Sequence, residues 1–169
     1  VGISGCSKLT SNLLNEIKLK KIDFVIVNGE NAALQGVGLT KGICQDFFSS
    51  GVNVITTGNH VWDQKEILDF IDKEERLLRP KNLFEPAPGK GFQTFNTKNN
   101  LKIGVLNLMG NVFMKKSEDV FETSKKFLQT YKLGEDYDFL VVDFHGEITS
   151  EKNAIGHFFD GKATLVVGT

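Results

Sequence analysis

Short apolar runs recur along the chain and alternate with segments of helical spacing. Residues 23–27, 52–56 and 139–142 are mostly apolar over four or five positions, which is typical of buried strands, and residues 165–167 begin a further run. Residues 92–95 and 101–108 are predicted to pair as a hairpin across the polar turn at 97–100. The apolar pattern therefore predicts a sheet of several short strands.

The segments between these strands carry helix signals. The predicted helices are one capped by Thr10 or Ser11, one capped by Thr40 and running through Ser49, one at 64–70, one at 120–131, and one capped by Ser150 and ending at Gly161. Residues 79–91 contain all three prolines and are predicted to form a loop. This order of elements predicts an α/β fold in one domain spanning residues 1–169.

Composition narrows the class of protein. Of 169 residues, 40% are hydrophobic and 24% are charged, and the formal net charge is -1. Without a basic field, binding to duplex nucleic acid or to an anionic membrane is not expected. No apolar run is long enough for a membrane span. Cys6 and Cys44 lie too far apart to suggest a disulfide framework or zinc ribbon, and two reduced thiols fit a cytoplasmic protein.

Three of the predicted strands are followed by clusters of polar residues. Residues 28–31 (Asn-Gly-Glu-Asn) follow the first strand, residues 58–60 (Gly-Asn-His) follow the second, and residues 143–145 (Asp-Phe-His) follow the strand at 139–142. Ligands of α/β sheets bind outside the carboxyl ends of the strands. The three clusters are therefore predicted to meet in one site.

The donor atoms in these clusters favour a metal site. Carboxylate, amide and imidazole donors without thiolate suit Mn, Fe or Zn. A carboxylate such as Glu30 can bridge two cations, and such a pair polarises a phosphoryl group and activates a bound water. An imidazole that is not itself a ligand can protonate the leaving oxygen, and His60, directly after Asn59, is placed for that role.

Each of these residues also has a structural explanation. Asn28, Asn31 and Asn59 could be turn residues beside glycine, and His145 could be a hydrogen-bonded histidine at a sheet edge. His157 lies within a predicted helix, away from ligand-type neighbours, and is interpreted as structural. Three such clusters after three buried strands favour the functional interpretation.

Longer motifs carry a family resemblance. Residues 28–33 (NGENAA), 58–63 (GNHVWD) and 143–145 (DFH) occur in the order found in YmdB-like metallophosphoesterases of the calcineurin-like superfamily. Further matches are residues 88–91 (PGKG), 107–110 (NLMG), 112–114 (VFM) and 149–152 (TSEK). The chain resembles this family along essentially its whole length.

The resemblance implies a four-layer αββα sandwich with two divalent metal ions, iron or manganese, at the sheet ends. By motif, Glu30 resembles the bridging ligand and Asn31 its neighbour at the first metal. Asn59 and His145 resemble ligands of the second metal, and His60 resembles the general acid. The implied activity is hydrolysis of a small-molecule phosphodiester, notably 2′,3′-cyclic AMP, by a cytoplasmic bacterial homo-oligomer.

The two ends of the chain depart from the family pattern. Relatives begin with a strand ending in Gly-Asp and continue past the equivalent of Gly168-Thr169 with His-x-His, and both segments supply metal ligands. We therefore expect a partial domain, truncated at both ends, that holds metal weakly. Cys6 and Asn111 stand where many relatives have Arg.

Two other functions remain open at the level of sequence. The first is a non-catalytic regulatory protein that binds a cyclic nucleotide on the same fold. The second is metal-dependent hydrolysis of a bond outside phosphate chemistry, which the ligand types fit less specifically. Substitution at a metal position would indicate the regulatory protein, and the motif positions present here show none.

Overall fold

The computed structural model describes all of residues 1–169. The first half contains helix α1 (Ile3–Lys20), strand β1 (Ile26–Asn28), helix α2 (Lys41–Ser49), strand β2 (Val54–Thr56), a 3₁₀ helix (Lys65–Asp69) and strand β3 (Leu77–Leu78). The second half contains β4 (Phe92–Asn96), β5 (Lys102–Met109), α3 (Val120–Thr130), β6 (Phe139–His145), α4 (Thr149–Phe158) and β7 (Leu165–Gly168).

The strands form two sheets. The first has the order β1-β2-β3 and is parallel throughout. The second has the order β4-β5-β6-β7, in which the β4–β5 hairpin is antiparallel and the other pairs are parallel. Parallel pairing places the carboxyl ends of β1 and β2 together, and likewise those of β5 and β6. The mixed α/β fold predicted from the sequence is confirmed.

Three clusters of buried side chains hold the elements together. One packs α1 and α2 against the first sheet and includes Phe47 and Ile55, both 0% exposed. Another packs α3 and α4 against the second sheet around Phe144. The third joins Val54 and Leu78 of the first sheet to Val105 of the second. The two sheets therefore share an apolar contact, and each carries helices.

Two helices begin where the sequence predicts. Thr40 caps α2 by accepting a hydrogen bond from the Ile43 N–H (3.3 Å). Asp119 caps α3 by accepting from the Glu122 N–H (2.8 Å). In both cases a short polar side chain satisfies a backbone donor that the first turn leaves free.

The first helix begins earlier than predicted, at Ile3 and not after Thr10 or Ser11. The hydroxyls of both residues donate to carbonyls of the preceding turn, with Cys6 and Ser7 as acceptors. Such back-bonding lets Ser and Thr sit within a helix on its solvent side. The capping interpretation of this pair was therefore wrong.

Three other elements also differ from the prediction. The segment at 64–70 forms a short 3₁₀ helix, not an α-helix. Helix α4 begins at Thr149 without a side-chain cap and ends at Phe158, so Ser150 lies inside it. Strand β3 was not predicted, because two residues are too few to show a periodicity.

None of the helices has both the length and the apolar character that crossing a bilayer requires.

Candidate functional site

The loop after β1 turns Glu30 into the protein. Its backbone is fixed by hydrogen bonds from the Gly38 N–H to the Glu30 carbonyl (2.6 Å) and from the Glu30 N–H to Asn28 Oδ1 (3.2 Å). The Glu30 side chain is 0% exposed as a result. A buried carboxylate requires compensation from donors or cations, so the contacts of its two oxygens define the site.

The Glu30 carboxylate lies where the three sequence clusters meet. Its Oε1 accepts a hydrogen bond from the His60 backbone N–H (2.7 Å). Its Oε2 is 2.5 Å from His145 Nε2 but has no aligned hydrogen-bond donor. Asn59 Oδ1 is 3.1 Å from the same ring nitrogen. A carboxylate oxygen, an amide oxygen and an imidazole nitrogen thus converge, from the loops after β1 and β2 and from the end of β6.

Gly58 makes this convergence possible. A Cβ at this position would overlap Glu30 Oε2 and His145 Cδ2. Any side chain here would therefore displace one of the two donors. Glycine at this position lets the backbone approach the Glu30 carboxylate and the His145 ring closely.

Asp143 supports the His145 ring through Thr169. It is 4% exposed and accepts hydrogen bonds from Asn28 Nδ2 (3.0 Å), from Thr169 Oγ1 (2.8 Å) and from the Thr56 hydroxyl. Thr169 Oγ1 also lies 3.2 Å from His145 Nδ1. These contacts hold the imidazole with Nε2 toward Glu30.

Asn107 links the two sheets next to the site. It is fully buried, its Oδ1 accepts from the Thr57 N–H (3.0 Å), and its Nδ2 donates to the Asp143 carbonyl (3.3 Å). Sequence reasoning assigned no role to Asn107, Thr56 or Thr169. Asn107 could have been noticed as a polar residue within an apolar strand, and Thr56 and Thr169 as polar residues at the ends of strands.

The His60 ring lies beside the converging donors without joining them. Its Nδ1 is 2.6 Å from Asp63 Oδ2, and Asp63 Oδ1 is 2.8 Å from Lys115 Nζ. The hydrogen bond from Lys115 lowers the pKa of Asp63, and His60 acts in the same direction. Sequence reasoning missed Asp63 and Lys115, which are 52 positions apart along the chain.

Asn31 is the predicted ligand that the structure does not bring to the other three. It is exposed, and it lines an open depression together with His60, Val37 and the first turn of α1 at Ile3 and Ser4. Among the predicted site residues, Glu30, Asn59 and His145 converge, while Asn31 and His60 face the depression.

The converging atoms are of the types that bind divalent metal ions. No group of three His, Cys, Asp or Glu side chains is present, since the third donor here is the amide oxygen of Asn59. A mixed oxygen and nitrogen donor set suits a divalent transition metal. The buried Glu30 Oε2, which has no hydrogen-bond donor, is the atom that such a cation would compensate.

Comparison with known proteins assigns the family. The model of the family described as YmdB-like protein matches residues 1–169. The chain belongs to the YmdB-like family. The resemblance inferred from the sequence motifs is thereby confirmed.

Proteins similar to this YmdB-like chain are named as phosphodiesterases or phosphatases. It is 45% identical over 149 residues to the 2′,3′-cyclic-nucleotide 2′-phosphodiesterase of Bacillus subtilis, covering 88% of this chain and 55% of that protein. It is 37% identical over 169 residues to a putative phosphatase/phosphodiesterase of Mycoplasma genitalium, covering 96% of this chain and 58% of that protein. The YmdB-like chain therefore spans somewhat more than half the length of these relatives.

Two crystal structures are similar to this YmdB-like chain. The structure of a novel phosphatase from Mycoplasma pneumoniae superposes with a TM-score of 0.88 at 35% identity, covering 100% of this chain and 60% of that chain. The structure of a hypothetical protein from Thermus thermophilus superposes with a TM-score of 0.87 at 34% identity, covering 98% of this chain and 62% of that chain. The YmdB-like chain thus shares its fold with a phosphatase.

Proposed function

We propose that this chain contributes most of the active site of a phosphodiesterase that hydrolyses cyclic nucleotides, with 2′,3′-cyclic AMP as the main substrate. The observation that carries the proposal is the convergence of Glu30 Oε2, Asn59 Oδ1 and His145 Nε2 around a buried carboxylate oxygen without a hydrogen bond. The name of the Bacillus subtilis relative supports this substrate class.

The proposal includes a binuclear centre of iron or manganese. Glu30 would bridge the two ions, Asn31 would bind the first ion, and Asn59 and His145 would bind the second. When bound, such a pair supplies charge that polarises the phosphoryl group and a water of lowered pKa. The family pattern also leads us to propose a four-layer αββα sandwich and a cytoplasmic homo-oligomer.

The protein's own residues account for the remaining chemistry. The His60 backbone N–H fixes Glu30 Oε1, so the other carboxylate oxygen is presented to the site. The His60 ring uses Nδ1 for Asp63, which leaves Nε2 as the nitrogen that can give a proton to a leaving oxygen. Asp143 and Thr169 hold His145 so that its Nε2 faces Glu30.

Turnover tests the role of His60. The Mn²⁺-loaded chain, and a version extended to the length of the Bacillus subtilis relative, would be assayed with 2′,3′-cyclic AMP and bis-p-nitrophenyl phosphate. Loss of a general acid costs about 10²- to 10⁴-fold, so His60→Gln should lower kcat for the cyclic nucleotide by that order. The loss should be smaller for the p-nitrophenyl ester, because its leaving group departs without a proton.

His157→Gln is the matched control, because His157 lies on α4 and outside the site. It should leave both rates unchanged. The phosphodiesterase assignment fails if the extended chain turns over neither substrate. Binding of the cyclic nucleotide without product would instead indicate the regulatory protein. Full activity after His60→Gln would exclude His60 as the acid.

A further inference from the structure

The His60 ring begins a chain of side-chain contacts that joins a loop of the first sheet to a loop of the second. His60 Nδ1 lies 2.6 Å from Asp63 Oδ2, and the other Asp63 oxygen lies 2.8 Å from Lys115 Nζ. His60 and Asp63 follow the first sheet, whereas Lys115 belongs to the loop at residues 110–119 between β5 and α3. Both oxygens of one carboxylate are thus engaged, each by a group from a different part of the fold.

The loop that carries Lys115 is fixed by a buried carboxylate. Glu151 on α4 is 7% exposed, and its two oxygens accept from the backbone N–H groups of Asn111 (2.8 Å) and Val112 (3.4 Å). The Gly110 N–H donates to the His145 carbonyl (2.8 Å). The start of the loop is therefore tied to the same strand end that carries a predicted metal ligand.

Asn111 fixes the far end of this loop. Its Nδ2 donates to Ser117 Oγ (3.0 Å) and to the Glu118 carbonyl (2.9 Å), and its Oδ1 accepts from the Val120 N–H (3.0 Å). The Asn111 side chain thus closes the loop. Lys115 projects from a segment that is anchored on both sides.

A contribution to folding stability does not account for the contact between Asp63 and Lys115. Exposed ion pairs contribute little to stability, and the Lys115 side chain is 53% exposed. A carboxylate next to an imidazole has another effect, because an acceptor at Nδ1 selects the tautomer with the proton on that nitrogen. The contact therefore fixes which nitrogen of His60 is available.

We propose that Asp63 and Lys115 are positioning residues for His60. Asp63 accepts a hydrogen bond from Nδ1–H, and Lys115 fixes the orientation of Asp63. Nε2 is then the nitrogen that faces the substrate, and the proton passed to the leaving oxygen is the second proton, which His60 carries at Nε2 as the imidazolium. The role in turnover rests on the proposed function, but the tautomer itself is a property of the protein alone.

The deciding measurement is the ¹⁵N spectrum of the histidine ring nitrogens at about pH 8.5, where imidazoles are mostly neutral. In the unsubstituted protein, His60 should show a protonated Nδ1 and an unprotonated Nε2. In Asp63→Asn, Lys115 should keep donating to the side-chain oxygen, which places the amide NH₂ against the ring. A donor at this position should convert His60 to the Nε2–H tautomer.

The double variant Asp63→Asn with Lys115→Met separates positioning from a general structural effect. Without Lys115 the amide can rotate and offer its oxygen to the ring, so the Nδ1–H tautomer should return. The matched controls are Glu75→Gln and Lys90→Met, which break an exposed ion pair of 3.1 Å elsewhere. Neither control should move the His60 ring signals, and backbone amide spectra would verify that all variants are folded.

The proposal is overturned if Asp63→Asn leaves the His60 ring signals in place. Its Lys115 part is overturned if the double variant keeps the spectrum of Asp63→Asn. In turnover of 2′,3′-cyclic AMP, Asp63→Asn should lower kcat by about 10- to 100-fold with little change in KM, because an amide donor facing Nδ1 disfavours the imidazolium that gives up its Nε2 proton. The double variant should recover part of the loss. If even the unsubstituted extended chain is inactive, the proposed function fails and the spectra still decide this proposal.

Discussion

Glu30 holds a carboxylate at a position without solvent exposure, where only one of its oxygens has a hydrogen-bond donor. The cost of burying such an ion without compensation is several kcal/mol. His145 Nε2 is near enough to compensate part of the Glu30 charge, whereas Asn59 Oδ1 adds a further partial negative charge beside it. A cation between these atoms would remove the imbalance.

This arrangement predicts that Mn²⁺ stabilises the folded chain. A free ion concentration about 100-fold above Kd adds about 2.7 kcal/mol, which is about 5–10 °C in Tm for a domain of this size. Thermal unfolding with and without MnCl₂ would measure it, and Glu30→Gln should abolish the shift. Glu75→Gln, on an exposed residue, is the control. Two tightly held ions per chain by elemental analysis would contradict the weak occupancy expected from the sequence.

Gly58→Ala tests the close approach at the same point. The added methyl would overlap Glu30 Oε2 and His145 Cδ2, so the donors must separate and the Mn²⁺ shift should disappear. Gly42→Ala is the matched control, since Gly42 lies in helix α2 with no atom near an added Cβ. It should stabilise the protein by up to about 1 kcal/mol. A Mn²⁺ shift that survives Gly58→Ala would show that the three donors do not form the metal site.

At the scale of elements, helix α1 ends with a residue that is poorly suited to its backbone. Lys21 has φ 51°, in the left-handed region, and the Ile22 N–H donates to the Ile17 carbonyl (3.0 Å) in the manner of a Schellman cap. Lys21→Gly should therefore raise the free energy of unfolding by about 0.5–1 kcal/mol. Lys18→Gly, inside the helix, should lower it by about 1 kcal/mol. Urea unfolding of both variants would show whether the signs are opposite.

The elements that could be predicted from sequence are those with a local signal. Thr40 and the apolar spacing after it define α2, and the strand before the Asp-Phe-His cluster is seen as an apolar run. The start of α1 could not be predicted, because Thr10 and Ser11 form hydrogen bonds inside the helix with the same hydroxyls that make them good caps. Local propensity does not separate these two cases.

The residues of the candidate site likewise fall into those with a local sequence signal and those without one. Glu30 and Asn59 were predicted to meet because they follow the neighbouring parallel strands β1 and β2. His145 ends β6 of the other sheet, so its arrival at the same site depends on how the two sheets pack. The pairing of Asp63 with Lys115 depends on how one loop crosses to the other sheet, which no local pattern encodes. The meeting of Glu30 and Asn59 was therefore predictable from the pattern of strands, whereas the approach of His145 and the contacts that orient the site required the tertiary structure.

At the scale of the whole molecule, each of the two helix-covered cores contains a buried ionisable side chain whose raised pKa keeps it protonated to a higher pH than usual. Cys44 packs in the cluster on the first sheet, and burial raises the pKa of its thiol from 9.0 to about 12. Tyr137 packs in the cluster on the second sheet, and burial raises the pKa of its phenol from 10.0 to about 12. Because the unfolded chain releases these protons first, the free energy of unfolding falls as the pH rises from each group's ordinary pKa to its raised pKa.

Tyr137→Phe isolates one of these contributions with little change in packing volume. The Tyr137 hydroxyl is buried and has no hydrogen-bond partner, so at pH 7 its removal should be neutral or stabilise the protein by about 1 kcal/mol. Between about pH 10 and 12 the unfolded tyrosine loses its proton while the folded one keeps it. The free energy of unfolding should therefore fall less steeply with pH in Tyr137→Phe than in the unsubstituted protein. Urea titrations at intervals across this range would measure the slopes, with Tyr131→Phe as control, and parallel curves would show that burial of Tyr137 does not govern alkaline unfolding.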